Sequence, residues 1–557
     1  MGQKQNPYAG LPEVAAEYIR RVIRKMGYSR SARLEVRREL VDHFDDALRS
    51  CRDDGERAAR AVELIAEFGE PRLLAVLIRR GKKRCRPAWK TAIVRSFQAV
   101  GVLLLCMILY VAWFFTGRPT ITTDYVAQLN ELAHPKVPDS ENAWPHYQRA
   151  IELFVKPSKA DDEFLRDLLS GRLRRFADLT QEQQANLRHL VTANEGAWKE
   201  FVAGSARPCC WRLYEAKDNS ILAVSVPNLS SLGTLSRIGI VRALLEGQSR
   251  QWNEAVSDCM AVARSRNMSH SPVLIEYIVF LAMQRQASWG LAELADLPNV
   301  DTAALARAQR EFEQVLADGI PVADLEGEHL MWLDMVQRSF TSDGAGGGHV
   351  MPKELRRLIP TMVYSNGNKQ GKTDSLAFLG AALLHAPREQ TLYVVEHYYD
   401  LMKDTFASPA RQIPAKAAIL KKYCEDLSPW RFALPRALLP EFSRLASMRF
   451  EAINECEATI AILALRRYRL EKGHYPDSLE QLKAEGYLSK LPFDYFAEGP
   501  LKYCKVGDDF LLYGVGWNMK DDGGVHDEKE EPWRGRNEGD AVYWPLAKPA
   551  EASSQPN

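Results

Sequence analysis

The chain has 557 residues, 46% of them apolar and 26% charged, with 73 basic residues against 72 acidic and a formal net charge of +1. This length accommodates two to four domains with cores of their own, and the composition is that of a globular protein, which excludes a disordered chain. The balanced charge supplies no overall field for nucleic acid or an acidic substrate, so no nucleic-acid partner is expected.

Residues 11 to 80 read as three or four short helices. Leu40, Val41, Phe44, Ala47 and Leu48 recur at helical spacing, as do Ala61, Leu64, Ile65 and Phe68, and Gly69-Glu70-Pro71 stops the helix. Each helix has one apolar face, so a small bundle over 1–80 is expected. The series RLEVRRELVDHFDDAL, an acidic turn at Asp53-Asp54-Gly55, then AARAVELIAEFGEPRLLA and a basic strip resembles the small helical prefix domain of HAAS type that precedes membrane spans in many bacterial proteins. The resemblance implies a regulatory or assembly role at the inner membrane face. Asp42, His43, Asp45 and Asp46 are expected on a solvated helix face.

Residues 81–96 form a basic juxtamembrane segment, and Phe97 to Thr116 is a run of twenty residues without a charge. Twenty helical residues span roughly 30 Å, the thickness of a bilayer's hydrocarbon core, so 97–116 is expected to be a transmembrane helix. Lys and Arg beside a span are retained on the cytoplasmic side. Arg79, Arg80, Lys82, Lys83, Arg84, Arg86, Lys90 and Arg95 precede it with no acid among them, and the next twenty residues beyond it hold only Arg118 and Lys136. The expectation is a single-pass protein of the inner (cytoplasmic) membrane, its N-terminus cytoplasmic and its C-terminal region external or periplasmic. MGQKQNPYAG begins no apolar core of signal-peptide type, so the span would serve as uncleaved signal and anchor. Trp113, Phe114 and Phe115 suit an interfacial aromatic belt. Six of the nine cysteines (Cys209, Cys210, Cys259, Cys424, Cys456, Cys504) fall on the external side, where disulfides are permitted, but their irregular spacing names no pairs.

From 117 to 450 the pattern is that of a large helical external domain built from antiparallel helices. LLEGQSRQWNEAVSDCMAVARS, with Gly247, Trp252 and Ala255, is similar to one repeat of tetratricopeptide type, without a second copy at a 34-residue period. A local helical hairpin or a protein-binding groove beside Trp252 would produce it. Gly371-Lys372-Thr373 invites a phosphate loop, but Asn366 stands where the loop needs glycine, so the cradle fails. Glu326 and His329 form an ExxH pair on one helix face; a di-metal centre wants a second, which is missing. Glu328 and the pair Glu396-His397 read as ordinary polar groups. The stretch from about 341 to 373, including DGAGGGH, is expected to be a mobile insertion.

The remainder, 451–547, reads as a long helix ending at Gly473 and a small antiparallel sheet, with Gly507-Asp508-Asp509 as a three-residue hairpin turn; 548–557 is expected to be a disordered tail. ALRRYRLEKGHYPDSLEQL, LPFDYFAEGPLKYCKVGDDFLLYGVGWNMKDDGG and GDAVYW resemble the globular part of the major pseudopilin of type II secretion, with FDYF replacing the usual Asp-Pro-aromatic turn. That family binds calcium in its acidic loop. The matching positions here are Asp521 and Asp522, with Asp527 and Asp540 as helpers, and a solvated acidic loop is the alternative.

The fold class expected is mainly α: a single transmembrane helix, a large helical external domain and a small α+β C-terminal module. The role expected is binding or assembly through protein partners of the cell envelope. An envelope hydrolase with its active site among the external helices and an accessory component of a secretion apparatus are the alternatives. No HExxH or GxSxG motif names a catalytic residue.

Overall fold

The computed structural model describes residues 7–27, 30–84, 88–119, 121–169, 175–224, 229–342, 347–355, 375–439, 443–526 and 539–546. They fall into two compact units, 1–113 and 114–557. The architecture is mainly helical with a small sheet part.

In the first unit four helices, Glu13–Lys25, Arg30–Leu48, Asp54–Phe68 and Pro71–Arg84, enclose a core of Tyr18, Ile19, Val22, Val36, Leu40, Phe44, Leu48 and Leu64. The third helix starts where Asp53 accepts a hydrogen bond from Glu56 N at 2.7 Å, satisfying one of the orphan donors of a helix N-terminus. Phe68 closes the core against Phe44, with ring centroids 5.5 Å apart, and Tyr18 Oη donates to Gly69 O at 2.8 Å. Asp42, His43, Asp45 and Asp46 are exposed, as a solvated face requires.

One helix, Ala88–Phe115, contains a stretch, Ala92–Phe115, long and apolar enough to cross a membrane, with 6% of its most apolar window buried. The helix begins nine residues before the expected start and ends before Thr116, because backbone hydrogen bonding does not stop at Lys90 or Arg95, both good helix formers. Charge marks the edge of the apolar stretch and leaves the helix intact. Phe114 is not exposed as a belt residue would be. It is 2% exposed and stacks on the His349 ring at 4.6 Å, and its carbonyl lies 3.1 Å from His349 Nε2.

The second unit is organised by two helices buried on nearly every side, Leu274–Asp296 and Ser443–Lys472, which pack along each other. Such all-round burial matches the small and apolar residues that run all round them in ASWGLAELA and ATIAILAL, with Ser288 and Glu293 buried among them. Leu229–Gln248 and Trp252–Ala263 pack on Leu274–Asp296, Thr302–Val315 packs on Ser443–Lys472 and Trp252–Ala263, and Tyr125–Ala133 and Arg388–Ala407 flank Glu326–Ser339. The boundary expected at 450/451 falls inside Ser443–Lys472, and a single core runs from Phe114 to Leu546. Arg285 on one organising helix meets Glu455 on the other, with Nε 2.8 and 2.9 Å from the two carboxylate oxygens.

Ser443–Lys472 ends at Gly473, whose φ of +80° is the left-handed cap that a side chain would oppose. After the helix Leu479–Ala484 come a short ladder, β1 (Phe493–Asp494) with β2 (Gly499–Pro500), and an antiparallel sheet in the order β3 (Lys502–Val506), β4 (Asp509–Gly514), β5 (Ala541–Trp544). Val506 pairs directly with Asp509, so the hairpin turn is the two residues Gly507-Asp508, not three. Phe510 and Trp544 stack at 5.0 Å, and the sheet packs on Ser443–Lys472.

Of the segment expected to be a mobile insertion, 343–346 and 356–373 lie outside the described residues, as do the Gly371-Lys372-Thr373 stretch and the tail 548–557. The described remainder is anchored: Val350 and Leu355 are buried, and Thr341 N donates to His349 O at 2.9 Å. The six cysteines beyond the apolar helix are all free thiols, Cys259 and Cys456 being buried.

Burial acts strongly on the Glu293 carboxyl. Glu293, 3% exposed, accepts a hydrogen bond from Phe176 N at 3.2 Å, and desolvation pushes its pKa up to about 8. The folded protein therefore holds a proton here that the unfolded chain releases near its ordinary value of 4.5. Stability from this group is fully present below about pH 4.5 and is lost as pH rises through about 8. Glu293→Gln keeps an acceptor for Phe176 N without the charge. It is expected to flatten the fall in thermal midpoint between pH 5 and pH 8; an unchanged slope would remove Glu293 as its cause.

Candidate functional site

Structure brings together part of what the sequence singled out. Glu326 and His329 share one face of the helix Glu326–Ser339, and Glu396 reaches them from Arg388–Ala407. His329 Nε2 lies 3.0 Å from Glu396, its Nδ1 lies 3.6 Å from Glu326, and its ring stacks on Tyr399 at 4.0 Å. Tyr399 in turn donates its hydroxyl to Glu326. The two carboxylates meet opposite edges of one imidazole and do not converge on a common point, which a metal ion would need. The arrangement is a clamp between two helices. His397 stands apart, between Tyr393 and Tyr423, and Glu328 is half-buried with Leu274 N donating to it at 3.4 Å.

The acidic loop is also structural in its described part. Asp540, 0% exposed, accepts from Asp522 N at 3.1 Å and from Gly524 N at 2.7 Å, while Asp521 accepts from Gly523 N and from Tyr513 Oη, each at 3.1 Å. Burial raises the Asp540 pKa. Asp540 thus pins the loop with its own carboxylate, the part a calcium ion would take. Asp527 lies outside the described residues, and among those described no group of three or more His, Cys, Asp or Glu is placed to hold a metal ion. Chelation with EGTA is expected to leave the thermal midpoint unchanged. A rise of several degrees on adding millimolar calcium would show that Asp527 and its neighbours complete a site.

Trp252 belongs to a helical hairpin, Leu229–Gln248 and Trp252–Ala263, as the tetratricopeptide-like spacing suggested. Its inner face is occupied by the chain itself. A Cβ at Gly247 would stand 2.7 Å from Leu294 and Leu297, so glycine here admits the following helix into the place where a repeat array would leave a groove.

A cleft of about 370 Å³ opens elsewhere, between the end of Thr302–Val315, the turn 316–320, the helix Ser443–Lys472 and the segment 489–495. Its floor is apolar, with Leu316, Ile320, Ile453 and Ile460. Arg449 stands at one end. Its Nε donates to Ile320 O at 2.7 Å and to Pro321 O at 3.2 Å, and its guanidinium lies 5.1 Å from the Phe450 ring centroid. Among the described residues no carboxylate comes within ion-pair reach of it, and burial pulls its pKa below the ordinary value. Lys490 by contrast is neutralised by Glu457, 2.5 Å away. Cys456, also lining the cleft, is a buried thiol whose pKa burial pushes up to about 12, so it is no nucleophile at neutral pH.

Compared with known protein families, curated proteins and solved structures, the chain shows no match. The cleft was only half legible in the sequence: Ile453, Cys456 and Ile460 read as a core stripe of the C-terminal helix. Arg449 continues that stripe one turn earlier, and a cation prolonging an apolar stripe was the signal for an open end.

Proposed function

We propose that this chain is a single-pass protein of the bacterial inner membrane, with 1–80 in the cytoplasm and the larger unit on the external side, and that it works by binding or assembly. The observation that carries the reading is the helix over Ala92–Phe115, whose apolar side chains other than Phe114 are largely exposed, Leu103 by 68% and Leu109 by 60%. Water would oppose that exposure at about 25 cal/mol per Å2, whereas hydrocarbon would not. The basic excess between Arg79 and Arg95 supports the orientation. That His329, Asp540 and Glu455 are each engaged in holding elements together supports structural roles for them.

An accessory place in a secretion apparatus is favoured by one arrangement, a long helix ending in Gly473-His474-Tyr475-Pro476 and followed by an antiparallel sheet, with Tyr503 Oη donating to Pro476 O at 2.7 Å. Protease added to intact spheroplasts is expected to remove a C-terminal tag and spare an N-terminal one. A protected C-terminal tag, or a chain that stays soluble after ultracentrifugation without detergent, overturns the reading.

A further inference from the structure

We propose that the cleft beneath Arg449 is a binding site for a small aliphatic monocarboxylate. The charge inventory selects the head group. Lys490 is already paired with Glu457, whereas Arg449 meets no carboxylate among the described residues, so Arg449 is the cation left for an anion in the cleft. Its Nε is spent on the carbonyls of Ile320 and Pro321, which fixes the plane of the guanidinium and leaves both terminal nitrogens without a partner among the described residues. Two donors in a fixed fork match the two oxygens of a carboxylate.

Glu313 on the wall, whose Oε1 accepts from Gln309 Nε2 at 3.0 Å, opposes any anion and opposes a phosphate dianion about twice as strongly as a carboxylate. The body of the ligand follows from the floor. Leu316, Ile320, Ile453 and Ile460 offer a hydrocarbon surface, and a volume of about 370 Å³ sits at the small end of ligand cavities. A partly buried cation without an anion is costly, and a bound carboxylate offsets that cost at the point where it arises. This site does not depend on the membrane reading, since every residue of it lies within the larger unit.

The test uses the full chain in lipid nanodiscs and titrates hexanoate, its neutral amide hexanamide, hexyl phosphate and an N-acetylated dipeptide ending in leucine, read by calorimetry and by ligand-observed NMR. Saturable binding of hexanoate, at least tenfold tighter than that of hexanamide or hexyl phosphate, is the expected result. R449Q retains a donor toward Ile320 O and is expected to weaken hexanoate binding at least tenfold. Ala317 lies exposed on the cleft wall, so A317W is expected to block the cleft with the thermal midpoint preserved. Equal binding of hexanoate and hexanamide, or hexanoate binding unaffected by A317W in a folded protein, overturns the proposal. A dipeptide that binds more tightly than hexanoate overturns the small-molecule assignment in favour of a polypeptide C-terminus.

Discussion

Glu455→Ala is expected to destabilise the larger unit by about 3–5 kcal/mol, the typical consequence of breaking a buried ion pair on one side. Glu455 is 1% exposed, and the Arg285 side chain that it meets is 13% exposed. Arg285 presents Nε to both carboxylate oxygens and a terminal nitrogen to one of them at 2.6 Å. Alanine would leave that guanidinium facing an apolar helix interface without the carboxylate it is shaped around. Since the two residues lie on the two organising helices, the loss is expected to reach the C-terminal sheet as well as the helical layers. Urea unfolding followed by intrinsic fluorescence and by limited proteolysis should show both parts loosening together.

The double variant Arg285→Met with Glu455→Met removes both charges and refills the space. It is expected to recover most of the loss, because the desolvation of two ions disappears with their attraction. If Glu455→Ala costs less than about 1 kcal/mol, the pair is no clamp and the two parts of the unit are held by apolar packing alone.

Asp494→Ala is the second large effect, and it is local. Asp494 is 0% exposed and is the acidic residue of the FDYF turn. Its Oδ1 accepts from Asn454 Nδ2 at 2.8 Å and from Phe496 N at 2.9 Å, while its Oδ2 accepts from Val515 N at 2.8 Å. One carboxylate therefore joins the long helix, the turn and the end of β4. Alanine strands three buried donors, each worth about 1–3 kcal/mol when unsatisfied, so a loss of about 3–5 kcal/mol is expected. Asp494→Asn keeps the acceptor facing Asn454 and Phe496 but turns an amide toward Val515 N, and about half that loss is expected. Hydrogen exchange at Phe496 and Val515 reads the effect directly. Amides that stay protected in Asp494→Ala would show that water or a rearranged turn takes over the carboxylate's place.

The sequence by itself determined the helical character, the apolar run, a small N-terminal bundle of three or four helices and the hairpin of β3 with β4, because each depends on neighbours within a few positions. Periodicity placed Leu40 and Phe44 in a core, and the glycine of Gly473-His474-Tyr475-Pro476 marked a helix end by conformational freedom alone. Only tertiary structure decided what those elements meet. Glu455 and Arg285 are 170 positions apart, and no local pattern distinguishes a glutamate that faces solvent from one that faces a guanidinium on another helix. The same holds for Gly247, whose missing side chain admits Leu294, and for Arg449, whose lack of a carboxylate among the described residues is a fact about the distant segments around it. Backbone geometry is chosen by short-range sterics and periodicity, whereas the pairing of buried charges is chosen by the packing of distant segments, which a linear pattern does not record.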